Sequence, residues 1–206
     1  MVNPIVLPPL KNRYFVMRHG QSEANTAGII VSHPDNGLND YGLSEKGRHQ
    51  VSASINNNVL PVTTRIFSSD FKRTRETAEI VYQHLACEQP VSFEECLRER
   101  YFGQLELGPD TRYPDIWLFD KQDPGHREQG VESVNSVLRR ASTVVHQCEK
   151  KFKTEIVLLI AHGDILQILQ TAFSGIPASC HRELRHLETA ELRELTVDLK
   201  SINPSE

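Results

Sequence analysis

Tyr14-Phe15-Val16-Met17-Arg18-His19-Gly20 is the stretch that decides the fold, because a short apolar run stops abruptly at a basic pair and a glycine. Such a run predicts a buried strand that ends in a loop. Ile156 to Ala161 repeats the pattern and is followed by His162-Gly163, while Arg65 to Ser69 is a further strand with a small polar ending. If these strands are parallel neighbours, their polar endings meet at one edge of a sheet.

Helical segments alternate with these strands along the chain. The predicted helices run over 45–57, 71–85, 134–148 and 164–173, with Ser44 and Asp70 as N-caps of the first two. Weaker strands are predicted over 91–93 and 191–198. The alternation favours an α/β fold, a three-layer α/β/α sandwich around a mostly parallel central sheet.

The bulk composition indicates one domain over residues 1–206. The chain has 206 residues, of which 38% are hydrophobic, and this is enough for a single core. Thr26 to Tyr41, rich in Gly, Asn, Asp and Pro, is expected to be a long surface loop. Residues from about 104 to 130 hold prolines, glycines, aromatics and charges, so we expect an irregular insertion beside the site.

Charge and cysteine content exclude several classes of protein. The net charge of -4 argues against a nucleic-acid binder, which would carry a strongly basic face. The four cysteines form no CxxC pair, and we expect reduced thiols rather than a zinc site or a disulfide frame. Met1 to Leu10 lacks a basic start and is interrupted by prolines, and no apolar run is long enough to span a bilayer. We expect a soluble cytoplasmic protein without membrane partners; a homodimer stays open.

Two histidines that each precede a glycine at a strand end indicate a binding or catalytic edge. Glycine lets a ligand approach the backbone, and Arg18 beside His19 supplies a planar charged fork that suits phosphate. Arg73 lies in the first turn of its predicted helix, where a cation is unfavourable unless an anion is near. Arg75, two residues on, points about 200° around the helix, so only one of the two arginines can face the site.

At this point the motifs resemble those of the histidine phosphatase superfamily, in the branch that contains the cofactor-dependent phosphoglycerate mutases and related phosphatases. Residues 18–25 resemble the RHGxxxxN signature, and 161–163 the second histidine motif. Further matches in the family's order are 43–50 (L[ST]xxGxxQ), 68–78 (SSxxxRAxxTA), 97–103 (LxExxxG) and 130–133 (GxES). The matches span about 13–195. The match over 68–78 selects Arg73 over Arg75.

The resemblance implies a role for each matched residue. His19 would be the nucleophile that becomes phosphorylated, and Glu99 would protonate the leaving oxygen and then activate water. Equatorial phosphate oxygens would be held by cationic and amide groups, which makes a metal or other cofactor unnecessary. The implied phosphate-binding residues are Arg18, Asn25, Arg73, His162 and Gly163.

The identity of the acid stays open between two carboxylates. Arg98 and Arg100 flank Glu99 and would lower its pKa if they pointed the same way, but in an extended segment Leu97, Glu99 and Tyr101 share one side. Asp164 is the rival, because another branch of the superfamily places its proton donor beside the second histidine. The LxExxxG context favours Glu99, and Asp164 is otherwise an expected helix N-cap.

Three functions remain, and hydrolysis is favoured. The mutases carry a longer insertion with substrate-binding arginines, whereas the cations here are only Arg112, Lys121, His126 and Arg127. A noncatalytic phospho-ligand binder is disfavoured because the nucleophile and the acid are both present. We expect a phosphorylated small molecule or a phosphoprotein as substrate. The insertion is expected to form the outer wall of the pocket, and its aromatics either line that wall or form a small hydrophobic cluster. The charged segment from Arg182 to Glu188 is expected to be a solvated face.

Overall fold

The computed structural model describes residue 5, residues 7–57 and residues 60–197. The strands are β1 (Arg13–Arg18), β2 (Arg65–Ser68), β3 (Ser92–Phe93), β4 (Ile156–Ala161) and β5 (Leu192–Leu195). The α-helices are α1 (Glu23–Ala27), α2 (Pro34–Gly37), α3 (Glu45–Asn56), α4 (Lys72–Leu85), α5 (Tyr113–Gln122), α6 (Val134–Lys151) and α7 (Gly163–Ser174). Asp198, the predicted end of the last strand, and most of the stretch before Leu7 lie outside the described residues.

The sheet has the order β3-β2-β4-β1-β5, in which the first four strands are parallel and β5 runs antiparallel to β1. In the central register Arg18 pairs with Ala161, and Ser68 pairs with Ile160. The carboxyl ends of β1, β4 and β2 therefore lie side by side. The prediction of a mostly parallel α/β sheet is confirmed, and the polar endings of three strands share one edge.

Alternation along β4 builds a hydrophobic layer on each side of the sheet. Val157 and Leu159 pack into the core that contains α6 and α7, and Leu158 and Ile160 pack into the core of α3 and α4. Side chains of successive strand residues point to opposite faces, so a wholly apolar strand is buried on both. This arrangement confirms the three-layer sandwich.

Gly47 explains how closely α3 approaches the loop that follows β1. A Cβ atom at Gly47 would lie 2.0 Å from the carbonyl oxygen of Gln21, and one at Gly20 would lie 2.5 Å from the carbonyl oxygen of Gly47. Any larger side chain would force the two backbones apart. The glycine that interrupts the predicted helix is therefore required for backbone packing beside His19.

Two predicted caps are wrong. Asp70 does not cap α4, whose N-cap is Phe71; its carboxylate pairs instead with Arg98, with the shortest N···O distance at 2.6 Å. Asp164 lies inside the first turn of α7, and His162 is the N-cap residue. In both cases a buried or half-buried arginine outcompetes the free backbone N–H groups for the carboxylate, as the stronger, charge-assisted partner.

The two segments predicted to lack regular structure are more ordered than expected. Thr26 to Tyr41 contains α2, and Ile30 and Val31 within it are buried. The insertion contains the ten-residue helix α5, so its description as irregular is wrong over 113–122. Ile116 of α5 is fully buried in a small separate apolar cluster. The other buried members of that cluster are Ile30, Phe102, Leu105 and Val131.

Within the residues described, no helix is long and apolar enough to cross a membrane. Nor do three or more histidine, cysteine or acidic side chains come together there in a way that could hold a metal ion. Cys87 and Cys148 are buried, and all four cysteines are free thiols.

Candidate active site

The carboxyl ends of β1 and β4 open onto a cavity of about 370 Å³. Six of the predicted site residues line it, namely Arg18, His19, Asn25, Arg73, Glu99 and Gly163. These residues come from five separate places in the sequence, and the sheet register brings them together. His162, the remaining predicted residue, is fully buried and accepts a hydrogen bond from Arg73.

His19 presents an unprotonated nitrogen to the cavity. Its Nδ1 lies 2.7 Å from the carbonyl oxygen of Gly20, which can only accept, so the proton lies on Nδ1. Its Nε2 accepts from the Nε–H of Arg73 at 3.1 Å. Burial, together with the positive charges of Arg73 and Arg18, lowers the pKa of His19 well below 6.5. The imidazole is therefore neutral at physiological pH, with its Nε2 lone pair directed at the arginine.

His162 contacts the same guanidinium group, that of Arg73, as His19 does. Its Nδ1 accepts from the Nε–H of Arg73 at 3.1 Å, so its Nε2–H donates to the Ser69 hydroxyl at 2.9 Å. The two imidazole rings meet edge to face with centroids 5.2 Å apart. Burial and the Arg73 charge lower the pKa of His162 well below its usual value.

Arg73 is the hub of the site. Besides the two histidines, its Nη2 donates to the Val31 carbonyl at 2.9 Å, while the buried Nη1 has no partner among the described residues. Burial lowers its pKa to about 10, so it remains cationic at neutral pH. Arg75 points away and donates to the carbonyl oxygens of Asp70 and Leu38. Of the two arginines, Arg73 lines the cavity and Arg75 does not.

Arg18 supplies a second buried donor without a partner. Its Nη1 lies 2.9 Å from His186 Nε2 and 3.0 Å from the Leu187 carbonyl, but its Nε has no partner among the described residues. An orphaned buried N–H costs about 1–3 kcal/mol. Two such donors on arginines that line one cavity therefore indicate an anion that the site is built to receive.

Asn25 and Gly163 complete the inner wall. The Asn25 Oδ1 accepts from the backbone N–H and the hydroxyl of Ser22, which leaves its amide N–H groups as the available donors. Gly163 begins α7, and a Cβ atom there would lie 3.4 Å from the guanidinium carbon of Arg18. Its small size keeps Arg18 in place beside the cavity.

Glu99 enters the cavity as a buried carboxyl group. Its Oε1 accepts from the backbone N–H groups of Arg100 and Ile165, at 2.9 and 3.2 Å. Burial, and then the nearby Asp164 carboxylate, raise the pKa of Glu99 above its usual 4.5, against an opposing effect of Arg73. The flanking arginines do not interfere, because Arg98 pairs with Asp70 and Arg100 points into the protein.

The expected side-chain alternation over 97–101 holds only in part. Leu97 and Glu99 are both buried and Arg98 is half-buried, but Arg100 is fully buried and Tyr101 is exposed. Arg100 is drawn inward because its guanidinium binds both oxygens of Asp120 at 2.7 Å. A buried ion pair therefore overrides the strand-like alternation.

Asp164 is held in a way that disfavours the role of proton donor. Its Oδ2 lies 3.2 Å from Arg100 Nη1, and its Oδ1 accepts from the Trp117 indole N–H at 3.0 Å. Burial alone would raise the pKa of Asp164, but the effects of Arg100, followed by those of His181 and Arg182, together outweigh it and hold that pKa below 3.8. Of the two candidate acids, only Glu99 has a raised pKa.

The outer wall contains residues that sequence reasoning missed. The insertion supplies Tyr113 and Trp117, which stack nearly parallel with an interplanar angle of 8°, as part of the predicted aromatic wall. Arg182, which stacks on Trp117, and His186 also line the cavity. The expectation that this charged segment is a solvated face is therefore wrong for these two residues. Arg112, Lys121, His126 and Arg127, the insertion's cations, do not line the cavity.

The topology contains a signal that would have found Arg182 and His186. Because β5 is antiparallel to β1, its amino end lies beside the carboxyl end of β1. The chain that enters β5 must therefore pass the edge of the sheet at which the cavity opens. There the Ala190 N–H donates hydrogen bonds to the carbonyl oxygens of Arg18 and His19. Alternation over 191–198 predicts the strand but not its direction, so it does not predict that Arg182 and His186 lie beside the cavity.

Comparison with known proteins gives the following matches. The family model described as "Histidine phosphatase superfamily (branch 1)" matches residues 14–203. A "Probable phosphoglycerate mutase GpmB" of Photorhabdus laumondii is 32% identical over 176 residues, which cover 83% of this chain and 79% of that protein. Its counterpart from Erwinia tasmaniensis is 30% identical over 177 residues, with the same coverage.

Two solved structures have the same fold at 25% identity. A mycobacterial glucosyl-3-phosphoglycerate phosphatase in complex with VO3 superposes with a TM-score of 0.74, over 88% of this chain and 91% of that one. Bacillus stearothermophilus YhfR superposes with a TM-score of 0.73, over 91% and 92% of the two chains.

Proposed function

The chain belongs to the histidine phosphatase superfamily, and we propose that it is a metal-independent phosphomonoester hydrolase that forms a phosphohistidine on His19. The observation that carries the proposal is the neutral His19 Nε2, which faces a cavity lined by two arginines with unpartnered buried N–H groups. A neutral imidazole nitrogen is a competent nucleophile, and the arginines supply positive charge where phosphoryl oxygens would lie.

The proposed reaction has two steps. In the first, Nε2 of His19 attacks phosphorus, the bond to the alcohol oxygen breaks, and Glu99 gives its proton to that oxygen. In the second, Glu99 takes a proton from water as the water oxygen attacks phosphorus, and the N–P bond breaks to give inorganic phosphate and free His19. Arg18, Arg73 and Asn25 hold the equatorial oxygens in both steps, and His162 acts through the Arg73 guanidinium that it contacts.

The raised pKa of Glu99 supports its role as the acid. A carboxyl group with an ordinary pKa would be ionised near neutral pH and unable to donate, whereas burial and Asp164 favour the protonated form. Asp164 has the opposite environment, since Arg100 and Trp117 both stabilise its charge. We therefore assign the leaving-group proton to Glu99.

A phosphoglycerate mutase is the second candidate, because two relatives at 30–32% identity are named as probable mutases. A mutase must exclude water and retain a bisphosphate intermediate. Between Glu99 and His162 this chain places no arginine or lysine in the main cavity, and this favours hydrolysis.

Phosphate release and isomerisation, measured in parallel, separate the candidates. The enzyme is incubated in EDTA with a panel of phosphomonoesters that includes 3-phosphoglycerate, with and without 2,3-bisphosphoglycerate. Release of inorganic phosphate without formation of 2-phosphoglycerate supports the hydrolase. Isomerisation without net release supports the mutase and contradicts the proposal. Loss of all activity in EDTA that a divalent metal restores contradicts metal independence.

A further inference from the structure

Arg182 lies at the outer end of the cavity and is positioned by an aromatic ring. Its guanidinium carbon is 3.6 Å from the centroid of the Trp117 ring, and about a third of its side chain is exposed. It also lines an adjoining groove of about 420 Å³, in which Lys121 is a second cation. A planar guanidinium stacked in this way keeps its N–H edge available for a ligand.

A chain of hydrogen bonds links Arg182 to the phosphate-binding end. Gln167 Oε1 accepts from Arg182 Nη1 at 2.6 Å and lies 2.8 Å from His186 Nδ1. Because an amide oxygen can only accept, the His186 proton lies on Nδ1, and its Nε2 accepts from Arg18. Arg182 and Arg18 are thus held in one rigid frame, with two side chains between them.

The guanidinium of Arg182 has capacity left after these contacts. Its Nε and Nη2 make no hydrogen bond within the part of the chain that the structure describes. The Asp164 carboxylate lies 3.8 Å from Nη1, but it is engaged more closely by Arg100 and Trp117. Asp164 offsets part of the charge of Arg182 without occupying its donors.

We propose that Arg182 forms a second anion subsite, so that the preferred substrates are phosphomonoesters whose alcohol carries a carboxylate or a second phosphate. This inference rests on the proposed function, since it places the reacting phosphate at His19 and the second anion at the Arg182 edge. Arg18 and Arg73 would hold the first group, and Arg182 the second. The fork geometry of arginine suits both carboxylate and phosphate oxygens.

Paired substrates that differ only in the second anion test the subsite. We compare kcat/KM for phosphate release from 3-phosphoglycerate and glycerol 3-phosphate, and from fructose 1,6-bisphosphate and fructose 6-phosphate; the two pairs distinguish a carboxylate from a phosphate. The wild-type protein is expected to prefer the doubly anionic member of at least one pair by roughly tenfold or more, the effect of one charged hydrogen bond.

Substitution of the arginine shows whether that preference arises at this position. Arg182→Gln should reduce the ratio of kcat/KM within the preferred pair by roughly tenfold, and Arg182→Lys should reduce it less. Arg185→Gln is the matched control, because it removes an exposed arginine of the same segment that lies outside the cavity. A wild-type ratio near one in both pairs, or an equal fall in Arg182→Gln and Arg185→Gln, overturns the subsite.

Failure of the subsite is distinguishable from failure of the proposed function. If phosphate is released but no pair discriminates, the hydrolase stands and the subsite is wrong. If no panel member releases phosphate, the proposed function fails, and the subsite that rests on it fails as well. A preference for singly anionic aryl phosphates over both doubly anionic substrates would indicate that Trp117 receives an aromatic leaving group and would contradict the subsite.

Discussion

The inner and outer ends of the cavity are built in different ways. At the inner end, Arg18, His19 and Gly163 follow directly from β1 and β4, and strand register fixes their relative positions. At the outer end, Trp117 comes from α5 and Arg182 from a short 3-10 helix over Ala178–Glu183, and the two side chains are joined by stacking. Backbone hydrogen bonds between strands thus position the proposed reacting groups. Contacts between side chains form the outer wall, where the rest of the substrate would lie.

His19→Ala is the largest expected effect and tests the inner end. Loss of the nucleophile should reduce kcat on 4-nitrophenyl phosphate by roughly 10⁵-fold and abolish acid-labile phosphoenzyme, because no other group can form the intermediate. His49→Ala, which changes an exposed histidine of α3, serves as the control. Near-normal turnover by a folded His19→Ala protein would contradict the mechanism.

Glu99→Gln should separate leaving groups according to their need for a proton. The variant is expected to lose about 10²–10⁴-fold in kcat/KM on an alkyl phosphate and much less on 4-nitrophenyl phosphate, whose leaving group needs no acid. A comparison of kcat/KM for the two substrates provides the measurement, because kcat/KM covers only the steps up to the phosphohistidine and leaves out the second step, in which Glu99 acts as the base for both substrates. Equal losses on both would argue against the acid role, and Glu95→Gln controls for removal of an exposed glutamate nearby.

Arg73→Gln and Arg75→Gln form a matched pair within one helix. Arg73 contacts both histidines, so its replacement should lower kcat/KM by roughly 10²–10³-fold, as for loss of an oxyanion donor. Arg75 bonds only main-chain carbonyls away from the cavity, and Arg75→Gln should change kcat/KM far less. Similar losses in the two variants would show that the effect arises from the stability of α4 rather than from the site.

The pH profile tests the two opposite pKa shifts. Neutral His19 is needed, and its lowered pKa moves the acidic limb of kcat/KM well below pH 6.5. Protonated Glu99 is needed, and its raised pKa moves the alkaline limb above pH 4.5. Asp164→Asn removes a negative charge beside Glu99, so it should move the alkaline limb to lower pH. An acidic limb at the ordinary histidine value would contradict the assignment of a buried, neutral nucleophile.

Trp117 substitutions give the smallest expected effect and test the outer end. Trp117→Phe keeps a ring under Arg182 but loses the indole N–H bond to Asp164, whereas Trp117→Leu loses the ring as well. We expect Trp117→Leu to raise KM roughly threefold to tenfold, and more than Trp117→Phe, with little change in kcat. A fall in kcat as large as that of Arg73→Gln would contradict the assignment of substrate binding to the outer end and of the reaction to the inner end.

The same distinction explains how much could be predicted from the sequence. Apolar runs that end in polar residues are local signals, and they located the central strands, His19 and His162. Arg73 and Glu99 were placed through the motif context. The bond of Asp70 with Arg98 and the pair of Arg100 with Asp120 join residues 28 and 20 positions apart, and no local pattern encodes such partners. Arg182 and His186 were misplaced for the same reason, because their position depends on the direction of β5.

The pair between Arg100 and Asp120 has a consequence for the evolution and redesign of this enzyme. Arg100 follows the proposed acid directly, and Asp120 is the fully buried residue by which α5 is bound to it. Leu118, two positions before it, is exposed. Two residues therefore fix the position of α5, namely Asp120 through Arg100 and Ile116 through the small apolar cluster. Residues on the outer face of the helix can change, and the acid keeps its alignment while these two are retained.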